Sequence, residues 1–195
     1  MKRFKLSLLI LAIIFANTAY ALDENQFLKA NEIYMAAVDG NEKDIVNASN
    51  YLNTLSESAP YDSLIQTYLG SLESMMGEHV YMPWNKMKHV EKGSEQMDDA
   101  LDEMDTQHDT AMLGGTPISI RMKIIAAHTY FRFPGFLNRY QDAKDLVADV
   151  FESPIFQTSS IESKNSIYEL AAAMAEQDDD KKSQADYLAK IKKPE

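Results

Sequence analysis

Apolar residues recur at helical spacing through almost the whole chain after residue 21, and this periodicity limits the fold more than any other feature. Ile45, Ala48, Leu52 and Leu55 stand three, four and three apart, which lays them along one face of a helix. Leu64, Ile65, Tyr68, Leu69, Leu72, Met75 and Met76 form a broader stripe. Trp84, Met87, Val90, Ser94, Met97, Leu101 and Met104 form a long one. The pattern continues in Phe136, Tyr140, Ala143, Val147 and Val150, then in Ile167, Leu170, Ala171 and Met174, and finally in Ala185, Leu188 and Ile191. No segment alternates with the period of two that marks a strand. Pro117 to Phe133 is apolar on most sides, so its helix is expected to be the most buried. The predicted fold class is all-α.

Breaks in the periodicity coincide with residues that end and start helices. Gly40 suits a left-handed C-terminal position and Asn41 an N-cap. Pro60 and Pro117 suit first-turn positions, with Thr116 as a cap. Pro134-Gly135 marks a tight corner, and Ser159 with Glu162 a capping box. The sequence thus predicts eight helices, over 24–38, 42–57, 61–79, 83–106, 117–133, 136–152, 160–177 and 181–192. Short connections between them predict antiparallel hairpins. The segment 107–116, QHDTAMLGGT, is the longest break and is expected to be the most mobile.

Met1 to Ala21 carries the features of a secretory signal peptide. Lys2, Arg3 and Lys5 precede the apolar run LSLLILAIIFA, and Ala19-Tyr20-Ala21 places small residues where a signal peptidase needs them. A spanning helix needs about 20 apolar residues, more than this run supplies. Cleavage is expected after Ala21, leaving residues 22–195 as a single exported, periplasmic or secreted domain that does not span a membrane. Losing the three cations takes the formal net charge from -11 to -14. Such an acidic chain lacks the basic footprint of a nucleic-acid binder. With no Cys among 195 residues, disulfides, thiolate metal sites, cysteine nucleophiles and a lipoprotein anchor are all excluded.

Ala48, Leu52, Leu55 and Pro60 follow one another at intervals of four, three and five, and Leu69-Gly70 falls in phase with them on a 34-residue period. This pattern resembles the tetratricopeptide (TPR) repeat over about one and a half repeats. Gln66 and Glu73 stand where that family has aromatic residues. The resemblance implies stacked helical hairpins in a short solenoid, with an irregular helical bundle as the other arrangement. In either, Gly70 would let two helices of one hairpin approach closely. The resemblance further implies a protein-interaction role, because TPR domains that hold acidic peptide ends do so with basic residues on first helices.

Catalytic signatures are missing. His79, His89, His108 and His128 form no tight ligand spacing. Asp178-Asp179-Asp180 lacks the glycine and distal glutamate of a calcium loop and suits a solvated helix junction. No GxSxG, Walker or GxGxxG motif occurs. The sequence predicts neither an enzyme nor a bound cofactor or metal.

One charge anomaly stands out. Pro117 to Gln141 holds Arg121, Lys123, Arg132 and Arg139 without an acidic residue. Arg121, Ile125, His128 and Arg132 fall within roughly a 60° arc of one helix. That face either holds an anionic group, as guanidinium suits carboxylate and phosphate, or pairs internally with Glu95, Asp98, Asp99, Asp102, Glu103 and Asp105 of the preceding helix. Trp84, the single Trp, sits beside Pro83 at a helix start. It is expected either to pack between the two long helices or to anchor a partner. In the Phe133-to-Arg139 motif the Phe residues are expected to close the hairpin and Arg139 to be free. The candidate partner- or anion-binding residues are Arg121, His128, Arg132, Arg139 and Trp84. Together these point to an exported scaffold or adaptor of the bacterial envelope, contacting an envelope protein or acidic segment and supporting a transport, secretion or assembly complex. The alternative is a periplasmic binding protein for a small anionic ligand.

Overall fold

Asp23 opens the first helix by a reciprocal capping box with Gln26, and Asn41 opens the second in the same way with Asp44. The computed structural model describes residues 22–60 and 62–193; the expected signal segment lies outside them. Among the described residues the helices are α1 (Glu24–Val38), α2 (Glu42–Ser56), α3 (Ser63–His79), α4 (Pro83–Asp102), α5 (Thr106–Thr110), α6 (Ile118–Phe131), α7 (Tyr140–Glu152), α8 (Ile161–Gln177) and α9 (Lys181–Leu188). Short 3-10 turns cover Gly135–Leu137 and Pro154–Thr158. The all-α class holds, with one two-residue strand pair added.

That pair replaces the expected mobile break. After α5, β1 (Met112–Leu113) pairs antiparallel with β2 (Thr116–Pro117). Gly114 and Gly115 make the turn with φ of 54° and 68°, the left-handed values that a two-residue hairpin loop requires. The Gly114 amide donates to the Glu24 carboxylate at 3.1 Å. The fully buried Thr116 hydroxyl lies 2.8 Å from Ser163 Oγ and 3.3 Å from Ser160 Oγ. The segment is thereby tied to both α1 and the start of α8.

Four boundary expectations are corrected. Gly40 does not have positive φ; its hydrogen matters because a Cβ would run into the Ala36 carbonyl oxygen and the Asp44 side chain. Pro60 precedes α3, whose cap is Asp62, at 3.0 Å from the Ile65 amide. Thr116 turns its hydroxyl toward α8, and Pro117 takes the cap position of α6 without a side-chain bond. Ser160, not Ser159, caps α8 by accepting from the Ser163 amide.

The helices pack as successive hairpins. α1 pairs with α2, α3 with α4, α6 with α7, and α8 with α9. The first helices also touch in series, α1 to α3, α3 to α6 and α6 to α8, while α2, α4 and α7 each meet the first helix of the next hairpin. Between α3 and α4, Gly70 faces Gly93. A Cβ on Gly70 would lie 2.7 Å from the Gly93 carbonyl oxygen and 2.8 Å from Met97 Cγ. Close approach within the hairpin, expected from Gly70, is what the two helices show.

Two buried clusters result. Leu22, Phe27, Tyr34, Ile45, Leu52, Leu64, Tyr68 and Leu72 belong to the first; Ile120, Tyr130, Val147, Val150, Phe156, Ile167 and Leu170 belong to the second. α6 serves both, giving Ile118, Met122 and Ile125 to the first and Ile120, Ile124, Ala126, Ala127 and Tyr130 to the second. Ten of its fourteen residues are buried, as expected for a helix that is apolar on most sides. A buried hydroxyl row crosses the first helices. Thr129 donates to the Ile125 carbonyl at 2.8 Å. Its oxygen therefore accepts from Ser71 at 2.8 Å, and Ser71 accepts from Tyr34 at 2.9 Å.

Candidate functional site

The basic face of α6 is spent within the fold. Arg121 lies over the Phe27 ring at 4.4 Å, and its Nη2 donates to the Leu113 carbonyl at 3.0 Å. Arg132 closes α6 and donates from Nη1 to the Val38 carbonyl at 3.2 Å. Val38 ends α1, where unpaired carbonyls and the helix dipole favour a cation. Its Nη2 stands 3.8 Å from Glu78. His128 sets Nε2 against Ser166 Oγ of α8 at 2.9 Å. The acidic residues of α4 are not the partners of this face, contrary to the internal pairing considered above. Arg121 and Arg132 each donate to a backbone carbonyl instead.

Arg139, expected to be free, is heavily engaged. Its Nη2 donates to Asp98 Oδ1 at 2.6 Å, its Nε stands 3.0 Å from Asp142, and the guanidinium stacks on Tyr130 at 4.1 Å. Tyr130 donates to the same Asp98 oxygen at 2.6 Å. Burial, with this carboxylate beside it, holds the Tyr130 hydroxyl well above its ordinary pKa. A single carboxylate on α4 thus ties α6 and the start of α7 to it.

Trp84 does not pack between α3 and α4: it is 67% exposed. The reason is the closeness of the two helices. At this end a Cβ on Gly77 would already lie 3.0 Å from the Lys86 carbonyl oxygen and 3.1 Å from Val90, leaving no room for an indole. Tyr81 is 91% and Phe136 74% exposed, so Phe136 does not close its hairpin; Phe133 instead meets Tyr130 at 5.6 Å.

Two openings lie near these residues. A pocket of about 150 Å³ is bounded by α3, α4 and the end of α6, with Met75, Val90, Phe133 and Pro134 in its wall and Lys86, Glu78 and Arg132 at its polar edge. A wider cleft of about 640 Å³ is open to solvent between α4 and α7 and floored by α6. Asp98, Asp102, Asp142, Asp145 and Asp149 line it with Lys123 and Arg139. Neither opening is bounded by Arg121 or His128. The cleft was missed in the sequence, although its signal was present: Asp98 and Asp102 are four apart, and Asp142, Asp145 and Asp149 follow at three and four. Asp178, Asp179 and Asp180 do form a helix junction. Asp178 takes Lys144 at 2.8 Å and Tyr140 at 2.9 Å, and Asp180 caps α9.

His128 gives a pH prediction. Burial is the main cause lowering its pKa below 6.5, and Arg132 adds to the shift. The unfolded chain then binds a proton at higher pH than the folded one, so stability from neutral His128 is full above about 6.5 and is lost as pH falls toward the folded value. A proton-NMR titration should place the imidazole midpoint below 6.5. A midpoint at or above that value means that the ring is solvated and the burial argument fails.

No family model, curated protein or solved structure matches the chain.

Proposed function

We propose that this is an exported scaffold of the bacterial envelope, built as a short TPR-like stack of hairpins, which holds a protein partner in the cleft between α4 and α7. The openness of that cleft carries this reading. Sites for small ligands enclose most of the ligand in about 300–1,000 Å³; here the smaller pocket holds about 150 Å³ and the wider cleft is open to solvent. Helices of two successive hairpins form the walls, as in solenoids that use a long surface for partners. Asp98, Asp142 and Asp149 already hold Arg139 and Lys123, so Asp102 and Asp145 are the carboxylates that select a segment bearing Lys or Arg rather than the acidic segment first expected. The reading of a small-anion carrier is weakened, because Arg121 and His128 face α1, β1 and α8 instead of a common opening.

A photo-crosslinking residue at position 145, tested in cells, should give one discrete protein adduct, and the same residue at position 182 on α9 none. Charge reversal at Asp102→Lys should suppress the adduct several-fold without loss of helicity. An adduct pattern that is the same at both positions, or indifferent to the reversal, would sink the proposal.

A further inference from the structure

We propose that the end of the molecule formed by the α3–α4 corner and the α6–α7 turn docks on the surface of an anionic phospholipid bilayer. The inference is independent of the cleft and gives the scaffold a place to stand. Three observations carry it.

The first is exposure. Tyr81, Met82, Trp84 and Phe136 are 91%, 41%, 67% and 74% exposed. They account for four of the ten large apolar residues exposed among the described residues. Tyr and Trp combine an apolar body with a polar tip, which suits the headgroup level of a bilayer.

The second is that both turns share one end. The wall of the smaller pocket takes Gly77, Glu78 and Lys86 from the α3–α4 side and Arg132, Phe133 and Pro134 from the α6 side. Tyr81, Met82 and Trp84 lie between the first three in sequence, and Phe136 follows the last by two residues. The two turns that carry these residues therefore border one opening. Exposed side chains on two separate turns, none of them lining either opening, fit a deformable surface better than a folded partner.

The third is charge. Residues 79–92 carry Lys86, Lys88 and Lys92 against Glu91. Lys92 is taken up by Glu73 at 3.0 Å. Arg132 and Arg139 of the neighbouring turn are held by the Val38 carbonyl and by Asp98 and Asp142, which leaves Lys86 and Lys88 as the cations of this end. Glu78 stands 3.8 Å from Arg132 at the rim of the pocket. Lys86 and Lys88 stand exposed. This cationic, aromatic end belongs to a chain of net charge -11. Anionic lipid attracts such an end while repelling the rest of the surface, which fixes orientation as well as contact. Aromatic burial then adds the short-range part, as for interfacial helices.

Trp84 is the single Trp, so its fluorescence reports this end alone. The protein as isolated from cells is mixed with vesicles of phosphatidylglycerol and phosphatidylcholine in equal parts, and with phosphatidylcholine alone. The anionic vesicles should shift Trp84 emission to shorter wavelength and, with brominated acyl chains, quench it. Lys86→Glu with Lys88→Glu should weaken vesicle partitioning about tenfold or more. Salt at about 1 M, where the Debye length is about 3 Å, should also weaken it. Tyr81→Ser with Phe136→Ser should reduce the spectral shift while the helical circular dichroism stays unchanged, since both side chains lie outside the core. Unchanged Trp84 emission on the anionic vesicles overturns the proposal, even if the protein sediments with them. So does equal binding to phosphatidylcholine alone. An acidic protein that covers Trp84 where vesicles do not would assign the end to a protein partner instead.

Discussion

Gly93→Val should lower the free energy of unfolding by about 3 kcal/mol, at the upper end of the usual cost of overpacking. The space for a side chain is already occupied. A Cβ at Gly93 would fall on the Gly70 carbonyl oxygen and on Ser74 Oγ, and within 2.6 Å of the Ser74 amide nitrogen. Two of these are backbone atoms of α3 or are fixed to them, and Ser74 Oγ is held by its own bond to the Gly70 carbonyl at 3.0 Å. Relief requires α3 and α4 to move apart. That movement would strip contacts along two of the longest helices of the fold, so the loss is large against a typical total stability of about 5–15 kcal/mol. Gly135→Ala is the matched control, because nothing lies within 4 Å of a Cβ there. Urea denaturation followed by circular dichroism reads both variants. Equal midpoints for wild type and Gly93→Val would mean that the helices are not in contact at these glycines.

Tyr68→Ala should cost about 3–5 kcal/mol, the range for removing a large aromatic side chain from a core. Tyr68 is 1% exposed and meets the Tyr34 ring edge-on, with centroids 4.7 Å apart and planes at 69°. Its hydroxyl donates to Asn31 at 3.2 Å. Tyr68→Phe removes that bond and keeps the ring, so it should cost only about 1 kcal/mol. The two losses separate packing from hydrogen bonding. If the Phe variant loses as much as the Ala variant, the hydroxyl rather than the ring holds α3 against α1.

Much of the helical framework was readable because helix formation and face burial are local properties. The expected span 24–38 coincides with α1, and the all-round apolarity of Pro117–Phe133 marks α6 as the helix with core on both sides. Polar and aromatic residues near the helix ends were less readable. Arg121 and Arg132 bond to the carbonyls of Leu113 and Val38, and a carbonyl acceptor leaves no mark in the sequence because every residue has one. Arg139 and Asp98 are oppositely charged, but their pairing depends on how α7 lies beside α4, a long-range fact. Trp84 was misplaced for a related reason. Helical spacing puts it in line with Met87 and Val90, yet Gly77 and Gly93 bring the backbones so near that the stripe ends before reaching it. Spacing shows which way a side chain points; it does not show how much room is left there.

The position of α6 in both clusters bears on how the molecule comes apart. In a linear stack whose units meet only their neighbours, either end can melt while the other stands. Here α6 contributes core residues to both sides, so loss of either cluster exposes apolar surface on a helix that the other still needs. Fraying belongs to the periphery, above all to α9, in which no residue is fully buried. The centre yields as a unit. A change near Phe27 at the start of the chain is thereby felt around Val147 and Leu170, far along it, through one shared helix and without any element changing shape.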